Sequence, residues 1–400
     1  MIDAAHQHQT RDTQMQHRPY RRPLQALTAA LLTTTLMAAS RPARATELRG
    51  FLETLHKHVT LTSTVPDNGD QNPYAVVVAP VSAGKVRQGD VLIDNFNNLG
   101  NLQGLGTTIV AYDPTSKHTT LFARLPRHPA HCPGGVGLTT AMTMLKTGWV
   151  IVGSTPSEDG TTRTRGDGCL LVLDANGQLV GTWTGPDING PWGNMAVLDH
   201  GASATLFVSM AGFDVPGPDV RDPQTGEPKL LHKATVLRLD LAIPEGKPPV
   251  IKSRTVVASG LGHRADRDVF LIGPTGLALA PDGTLYVSDA IGNRIVAIPQ
   301  ATTRTDSAGT GRAVTQDGLL QRPLALALLP NGHLLTCNAL NGQVVEIDPA
   351  AGRQIYAQWV NTNQAQSPPG SGNLFGLALR PDGKGFYYVA DDVNTVQEAR

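Results

Sequence analysis

Four polar residues that end predicted β-strands are the first candidates for chemistry in this chain. They are Asn95, Asp289, Asn338 and Asp391. Amide and carboxylate oxygens are the usual protein ligands of hard divalent cations, so these side chains predict a site for calcium or zinc. The alternative is structural, because Asp and Asn at strand ends commonly cap the following turn by accepting hydrogen bonds from backbone amides.

A charged segment, GLGHRADRDVF from residue 260 to 270, supplies the candidate general base. An unperturbed imidazole titrates near neutrality, so His263 is the residue best suited to move a proton at physiological pH. The same segment contains Arg264, Asp266, Arg267 and Asp268. A charged run of this kind also fits a solvated loop whose side chains pair with one another.

The cysteines allow one pairing inside a single predicted sheet. Cys132 precedes one strand and Cys169 follows a long loop of the same sheet, so both lie at one end of it. They form either a structural disulfide or two unreactive thiols. His128 and His131 beside Cys132 suggest a soft metal, but such a site needs further ligands from elsewhere. Cys337 lies within a predicted strand and is expected in the core.

A degenerate strand, turn, strand unit recurs six times, and each copy is followed by a loop and a third strand. Its copies span residues 75–95, 141–154, 194–210, 276–289, 325–338 and 376–391. Runs such as AVVVAP are apolar on both faces, which suits strands that are covered on both sides. With 42 glycines, 29 prolines and only 16% charged residues, the chain is rich in turns and poor in charged helix surface. Repeats that cannot bury their own faces predict a stacked architecture.

The clearest copy, GPTGLALAPDGTLYVSDAIGNRIVAIP from Gly273 to Pro299, resembles an NHL repeat, and the resemblance extends over residues 273–397. It implies an all-β fold, a six-bladed β-propeller of four-stranded antiparallel blades, related in architecture to the gluconolactonase-like and strictosidine-synthase-like propellers. The last blade lacks a fourth strand, so we expect residues 58–65 to supply it and close the ring, which removes exposed sheet edges. The predicted blades span 74–124, 136–184, 190–243, 270–312, 322–360 and 373–400 with 58–65.

The residues that precede the six inner strands define one mouth of the central channel. They are Tyr74, Thr140, Gly193, Thr275, Leu324 and Phe375, with Trp192 and Asn194 beside them. None is a carboxylate, whereas the resemblance implies Asn and Asp cation ligands at this place in gluconolactonase-like proteins. The ring predicts either a plugged channel or a pocket for a partly apolar ligand, in which Tyr74, Trp192, Asn194, Thr275 and Phe375 would contact it.

Residues 1–45 are predicted to be a cleaved secretory signal, with arginines, an uncharged run and an Ala-Arg-Ala site in order. The mature chain would be periplasmic or secreted, with 46–73 as an N-terminal segment and 74–400 as the propeller. No membrane span is expected after removal of the signal. Lys+Arg 33 against Asp+Glu 33 leaves no net positive field, so nucleic acid is not expected as a partner.

Two functions from different classes remain open at this level. The first is a monomeric propeller that binds a small ligand or a protein partner on its loop-rich channel face, where the loops 95–106, 154–168 and 211–233 are unusually long. The second is a metal-assisted hydrolase or lyase that acts on a small molecule. In that case Asp289, Asn338 and Asp391 would hold a divalent cation. Fold alone does not choose between them.

Overall fold

The computed structural model describes residues 50–400, so the predicted signal lies outside the described residues. Twenty-five strands form six sheets, five of four strands and one of five, which we call blades 1 to 6 in chain order. Three 3-10 turns, Leu52–Thr54, Thr162–Thr164 and Asp391–Val393, are the helical elements of this part of the chain. The six-bladed β-propeller predicted from the sequence is confirmed.

Within each blade the strands are hydrogen-bonded in chain order, except that the first strand of the chain joins blade 6 beside the last strand. Blade 1 contains β2 (Gln71–Val78), β3 (Val91–Asn97), β4 (Thr108–Asp113) and β5 (His118–Arg124). Blade 2 contains β6 (Leu138–Met144), β7 (Val150–Ser154), β8 (Cys169–Leu173) and β9 (Leu179–Trp183). Blade 3 contains β10 (Pro191–Asp199), β11 (Ser203–Met210), β12 (Leu231–Ala242), β13 (Val250–Asp266) and β14 (Phe270–Ile272).

The second half of the ring repeats this order. Blade 4 contains β15 (Pro274–Leu279), β16 (Leu285–Asp289), β17 (Arg294–Ile298) and β18 (Arg312–Gln316). Blade 5 contains β19 (Pro323–Leu328), β20 (Leu334–Asn338), β21 (Gln343–Asp348) and β22 (Arg353–Trp359). Blade 6 contains β23 (Leu374–Leu379), β24 (Phe386–Ala390), β25 (Thr395–Ala399) and, at its outer edge, β1 (His58–Ser63).

The N-terminal strand closes the ring as predicted. β1 pairs antiparallel with β25, with His58 opposite Ala399 and Ser63 opposite Thr395. The first and last parts of the propeller therefore share one sheet, and the outer edge of blade 6 is formed by the start of the chain.

Burial explains why the apolar runs become strands. The middle strands β7 and β8 are buried at every position, whereas the outermost strand β22 is exposed or half-buried along its length. Blades 1 and 2 pack through Leu92, Ile109, Leu138 and Val152, all within one apolar cluster. Strands that are covered on both faces need apolar residues at successive positions, and that is the pattern visible in the sequence.

Blade 3 differs most from its predicted bounds of 190–243. The chain returns after Ala242 as β13, a strand that reaches Asp266, and then adds the short β14. Most of the segment 260–270, predicted as a charged loop between blades, is thus part of a β-ladder. The glycines and charged residues of this segment are unfavourable in strands, so the sequence did not indicate β13 there. In the structure, β13 is held by its antiparallel pairing with β12. No helix within residues 50–400 is long and apolar enough to cross a membrane.

Candidate functional site

Five aromatic side chains fill the central channel below its loop-bearing end, and we call them the aromatic plug. They are Tyr74, Phe96, Trp192, Phe270 and Phe375, each at most 3% exposed. Tyr74 stacks on Phe375 at 4.2 Å and on Phe96 at 4.7 Å between ring centroids, and Trp192 meets Phe96 edge to face at 5.5 Å. Stacked and edge-to-face pairs at these separations are favourable. The channel is therefore blocked at this level, and the cavity beside the plug has a volume of about 10 Å³, the space of one water.

Asn194 and Thr275, two polar residues of the predicted channel ring, join neighbouring blades. The Asn194 amide donates to the carbonyls of Leu277 (2.9 Å) and Leu326 (3.0 Å) and accepts from the Leu326 amide (2.9 Å). The Thr275 hydroxyl donates to the Leu324 carbonyl at 3.1 Å. Gly193 has φ +79°, and a Cβ there would lie 1.8 Å from the Thr275 carbonyl oxygen. These contacts tie blades 3, 4 and 5 together, so the polar groups serve the fold.

Phe270 reaches the plug from the hairpin between β13 and β14. It adopts φ +68°, a left-handed conformation that is strained for a bulky residue. Its edge-to-face contact with Phe96 at 5.3 Å and its stack with Trp192 at 6.1 Å hold it there. Sequence reasoning missed this residue because 260–270 was interpreted as a solvated loop. The adjacent apolar pair Val269 and Phe270 was the signal that marked a buried tip.

Above the plug, on the face predicted to carry function, lies a cavity of about 490 Å³ that we call the loop-face pocket. Residues from blades 1, 3, 5 and 6 line it, and six of them are amides. The amides are Asn72, Asn97, Asn101, Gln103, Gln366 and Asn373. Arg267, Asp268, Arg322 and Asp391 add charge or polarity, and Val269 borders both this pocket and the small cavity beside the plug. The site is thus a polar cleft with an apolar, aromatic base.

Three side-chain oxygens of the loop-face pocket are buried and have no hydrogen-bond partner within residues 50–400. They are Asn97 Oδ1, Gln103 Oε1 and Asp391 Oδ1. The amide nitrogens of the same groups are engaged, since Asn97 Nδ2 donates to Asn101 Oδ1 at 2.7 Å and Gln103 Nε2 donates to the Arg267 carbonyl at 3.1 Å. A buried acceptor without a donor destabilises the fold. These three oxygens are therefore the buried, unpaired acceptors among the described residues that line the pocket.

Asp391 is the acid of the pocket with the most altered titration. Burial first, and the charge of Asp392 second, raise its pKa to about 8. Asp392 accepts hydrogen bonds from the side-chain amides of Asn361 (2.9 Å) and Asn363 (2.6 Å). At neutral pH the Asp391 carboxyl is mostly protonated, so it can donate a hydrogen bond as well as accept one.

Substituting Asp391 by asparagine should flatten the dependence of stability on pH. A carboxyl whose pKa is raised on folding makes the folded state bind more protons, so the free energy of unfolding falls as pH rises from about 4 to about 8, by at most about 1.4 kcal/mol per pH unit. Burial also raises the pKa of Asp94, to about 7, so Asp94 contributes to the dependence of stability on pH over the same range. The contribution of Asp391 is therefore the difference between the parent protein and the variant. Urea denaturation at intervals of half a pH unit measures the free energy of unfolding of both proteins. If the two proteins show the same slope of this free energy against pH, Asp391 ionises normally.

Sequence similarity does not place this chain in a family. No protein-family model matches it, and no curated protein is significantly similar to it, so membership of the NHL-repeat family stays a prediction. Solved structures do match. A gluconolactonase from Xanthomonas campestris has a TM-score of 0.51 at 14% identity, covering 86% of this chain and 88% of its own. The chain is a six-bladed β-propeller with gluconolactonase-like structural neighbours.

Other solved structures that resemble this propeller are proteins with different activities in their names. A PQQ-bound aldose sugar dehydrogenase from Streptomyces coelicolor gives a TM-score of 0.50 at 16% identity, covering 86% of this chain and 98% of its own. Luciferin-regenerating enzyme gives 0.50 at 10% identity, with 86% and 95% covered. At these identities the likeness establishes the fold alone.

The four residues predicted as a cation site have different hydrogen-bond partners in this propeller. Asp289 accepts from Arg294 Nε (2.8 Å) and from the Gly292 amide (3.1 Å), and Asn338 bonds the backbone of Gln321 and Leu319. Asp289 therefore caps the turn that follows its strand, which is the structural alternative, whereas Asn338 holds the connection between blades 4 and 5. Asn95 donates to the Thr64 carbonyl at 2.8 Å and keeps Oδ1 unpartnered among the described residues, while of the four only Asp391 lines the pocket.

The strand register explains why Asp391 occupies a different position in its blade from Asp289 and Asn338. Asp289 and Asn338 lie opposite Pro274 and Pro323 at the start of the inner strands, but the equivalent partner of Leu374 is Ala390. Asp391 follows one residue later, in the 3-10 turn Asp391–Val393. Across residues 50–400, no group of three or more His, Cys, Asp or Glu side chains is placed to hold a metal ion. These side-chain types do not include amides, so the predicted set with its two asparagines stays a prediction.

His263, the predicted general base, lies outside the loop-face pocket. It is fully buried, its Nδ1 lies 2.7 Å from the Ala211 carbonyl oxygen, and burial lowers its pKa to about 4. The ring is therefore neutral at physiological pH and held in the body of blade 3. The pocket instead receives Arg267 and Asp268 from the same segment, while Asp266 pairs with Arg322 at 3.0 Å.

Cys132 and Cys169 are joined by a disulfide, with 2.07 Å between the sulfur atoms. The bond links the connection between blades 1 and 2 to the start of β8. Cys337 is buried in β20, and burial raises the pKa of its thiol, so it is an unreactive core residue.

Proposed function

We propose that this protein binds a small polyhydroxylated molecule in the loop-face pocket. The observation that carries the proposal is the set of three buried, unpartnered acceptor oxygens, Asn97 Oδ1, Gln103 Oε1 and Asp391 Oδ1, around one cavity of about 490 Å³. A cavity of this volume is within the range of small-molecule sites. Hydroxyl groups of a ligand would donate to these oxygens and remove their desolvation penalty.

The rest of the lining supports the same class of ligand. Amide side chains both donate and accept, which matches hydroxyl groups that do the same. The exposed Arg267 and the protonated Asp391 add donors that recognise ring or carbonyl oxygens. An aliphatic ligand would leave all these groups unpaired, so the pocket selects against it.

Calorimetric titration with neutral monosaccharides and their lactones tests the proposal. The Xanthomonas and Streptomyces neighbours are named for sugar chemistry, which guides the choice of probes while the likeness itself shows only the fold. We expect at least one probe to bind and to raise the melting temperature, because a ligand that binds only the folded state stabilises it. In the Gln103→Leu variant, binding should weaken by about tenfold, the effect of one lost hydrogen bond of about 1.4 kcal/mol.

Gln88→Leu is the matched control, because Gln88 is an exposed glutamine outside the pocket. It should leave the affinity unchanged. A panel in which no probe binds, or in which both leucine variants bind as the parent protein does, would overturn the assignment of this pocket.

Metal-assisted hydrolysis of such a ligand is the second candidate function. Its support is that Asn95 Oδ1 and Asp391 Oδ1 remain unpartnered in the described structure. Calcium takes six to eight oxygen ligands, so this function requires several more than these two. Addition of calcium or zinc should raise the melting temperature and produce lactone hydrolysis if the function is correct, and no change in either would exclude it.

We also propose that the protein works outside the cytoplasm as a monomer. The disulfide between Cys132 and Cys169 supports an oxidising compartment, in keeping with the signal predicted for residues 1–45. Fractionation of the producing cells and light scattering of the mature chain test the two statements separately.

A further inference from the structure

A second cavity, of about 300 Å³, lies where β1 closes the ring between blades 6 and 1, and we call it the seam cavity. Its walls come from β1, the end of β4, the turn before β5, and both β24 and β25. These elements meet at the strand ends opposite to those that form the loop-face pocket. The site is therefore separate from the one that carries the proposed function.

Two tyrosines with buried rings line the seam cavity, and their hydroxyl oxygens are not fully enclosed, so they are open to the cavity. Tyr112 is 3% exposed and Tyr387 is 4% exposed, and both line the cavity. Neither hydroxyl has a hydrogen-bond partner within the described part of the chain, in contrast to Tyr388, which donates to the Val360 carbonyl at 3.0 Å. Burial of the rings raises both pKa values, so the hydroxyls stay protonated as donors.

Three cations and one carboxylate line the cavity, namely Lys117, Arg380, Arg400 and Glu398. Asp113 and Asp382 lie near the two tyrosines. Glu398, 6% exposed, pairs with Arg380 and with Arg400 (3.5 Å), and Arg380 also binds Asp382 at 2.8 Å. Lys117 also lines the cavity, and no described carboxylate pairs with it. Arg380 Nε is buried without an acceptor among residues 50–400. The unpaired groups here are donors, whereas those of the loop-face pocket are acceptors.

We propose that the seam cavity binds the carboxylate of a small organic acid. The two tyrosine hydroxyls and Lys117 would hold the oxyanion, because charged acceptors form the stronger hydrogen bonds with such donors. Val59 and Leu61 of β1, together with the tyrosine rings, provide an apolar wall for the body of the acid. A bound acid would contact both the closing strand and blade 1, so it would stabilise the closed ring.

Titration with benzoate at constant ionic strength, against a chloride baseline, tests this site. Benzoate should bind and raise the melting temperature. Tyr112→Phe or Tyr387→Phe should each weaken benzoate binding by about tenfold, and the double variant by about a hundredfold, since only one donor is removed at each position and the buried ring remains. Tyr356→Phe, at a tyrosine 38% exposed on the outer strand β22, is the control and should bind as the parent protein does.

Inorganic phosphate is the second probe. It tests whether the cavity requires the apolar body of an organic acid or binds any small oxyanion. Binding of phosphate without benzoate would overturn the apolar part of the proposal. The proposal would be overturned if benzoate did not bind, or if it bound equally well to the double phenylalanine variant. The tyrosine hydroxyls would then contact only solvent water. These outcomes do not depend on the monosaccharide titration, because that experiment probes the opposite end of the blades.

Discussion

Replacing Phe96 by alanine is expected to lower the free energy of unfolding by about 3 to 5 kcal/mol, the usual cost of removing a fully buried aromatic ring. Phe96 is 0% exposed at the centre of the aromatic plug. It contacts Tyr74, Trp192 and Phe270 with ring centroids 4.7, 5.5 and 5.3 Å away, so three aromatic pairs are lost together. The plug has little freedom to collapse, because the inner strands of the blades hold its other rings apart.

Urea denaturation measures this prediction as a lower midpoint with an unchanged slope. Trp359→Ala is the matched control, since Trp359 is 41% exposed on β22 and its removal should change stability by less than about 1 kcal/mol. A Phe96→Ala protein as stable as this control would show that the plug does not contribute to the core as described.

Loss of the disulfide between Cys132 and Cys169 is expected to cost about 4 kcal/mol, from the chain entropy of a loop with a sequence separation of 37 residues. The Cys132→Ser, Cys169→Ser double variant should therefore melt well below the parent protein in the absence of reductant. Added dithiothreitol should lower the melting temperature of the parent protein and leave the double variant unchanged.

Thiol counting gives an independent check on the same bond. The chain has three cysteines, so the oxidised protein should expose one thiol after unfolding without reductant, that of Cys337. Cys337→Ala should remove this thiol and keep the response to dithiothreitol. Three reactive thiols in protein isolated from an oxidising compartment would contradict the pairing.

The loop-face pocket illustrates how sites arise in this architecture. Its lining extends from Asn72 in blade 1 to Asp391 in blade 6, with Arg267 from blade 3 and Arg322 from blade 5 between them. Blades 1, 3, 5 and 6 and their connections each supply a few side chains, and the closing strand pairs with the last blade. A change in one loop therefore alters the pocket while the blades beneath remain intact, as is general for loops on rigid scaffolds.

The local pattern of the chain determined its fold. Apolar runs such as 75–80, turn glycines such as Gly283 and Gly332, and their sixfold recurrence predicted six blades and the closing strand at 58–65. This information is local, because each strand is specified by the burial of its own faces and each turn by its own backbone conformation. The pairing of Cys132 with Cys169 was also accessible, since one precedes a strand and the other follows a loop of the same predicted sheet, although the sequence left unpaired thiols as an alternative.

The site was decided by the tertiary structure. Asp289 and Asp391 look alike in sequence, yet one is satisfied by Arg294 and Gly292 while the other keeps a buried oxygen free. His263 has the right chemistry for a base but is fully buried in blade 3. Whether a polar atom is available to a ligand depends on partners that arrive from distant parts of the chain. The sequence therefore predicted the scaffold, and only the packing of its loops showed which groups remain free to bind.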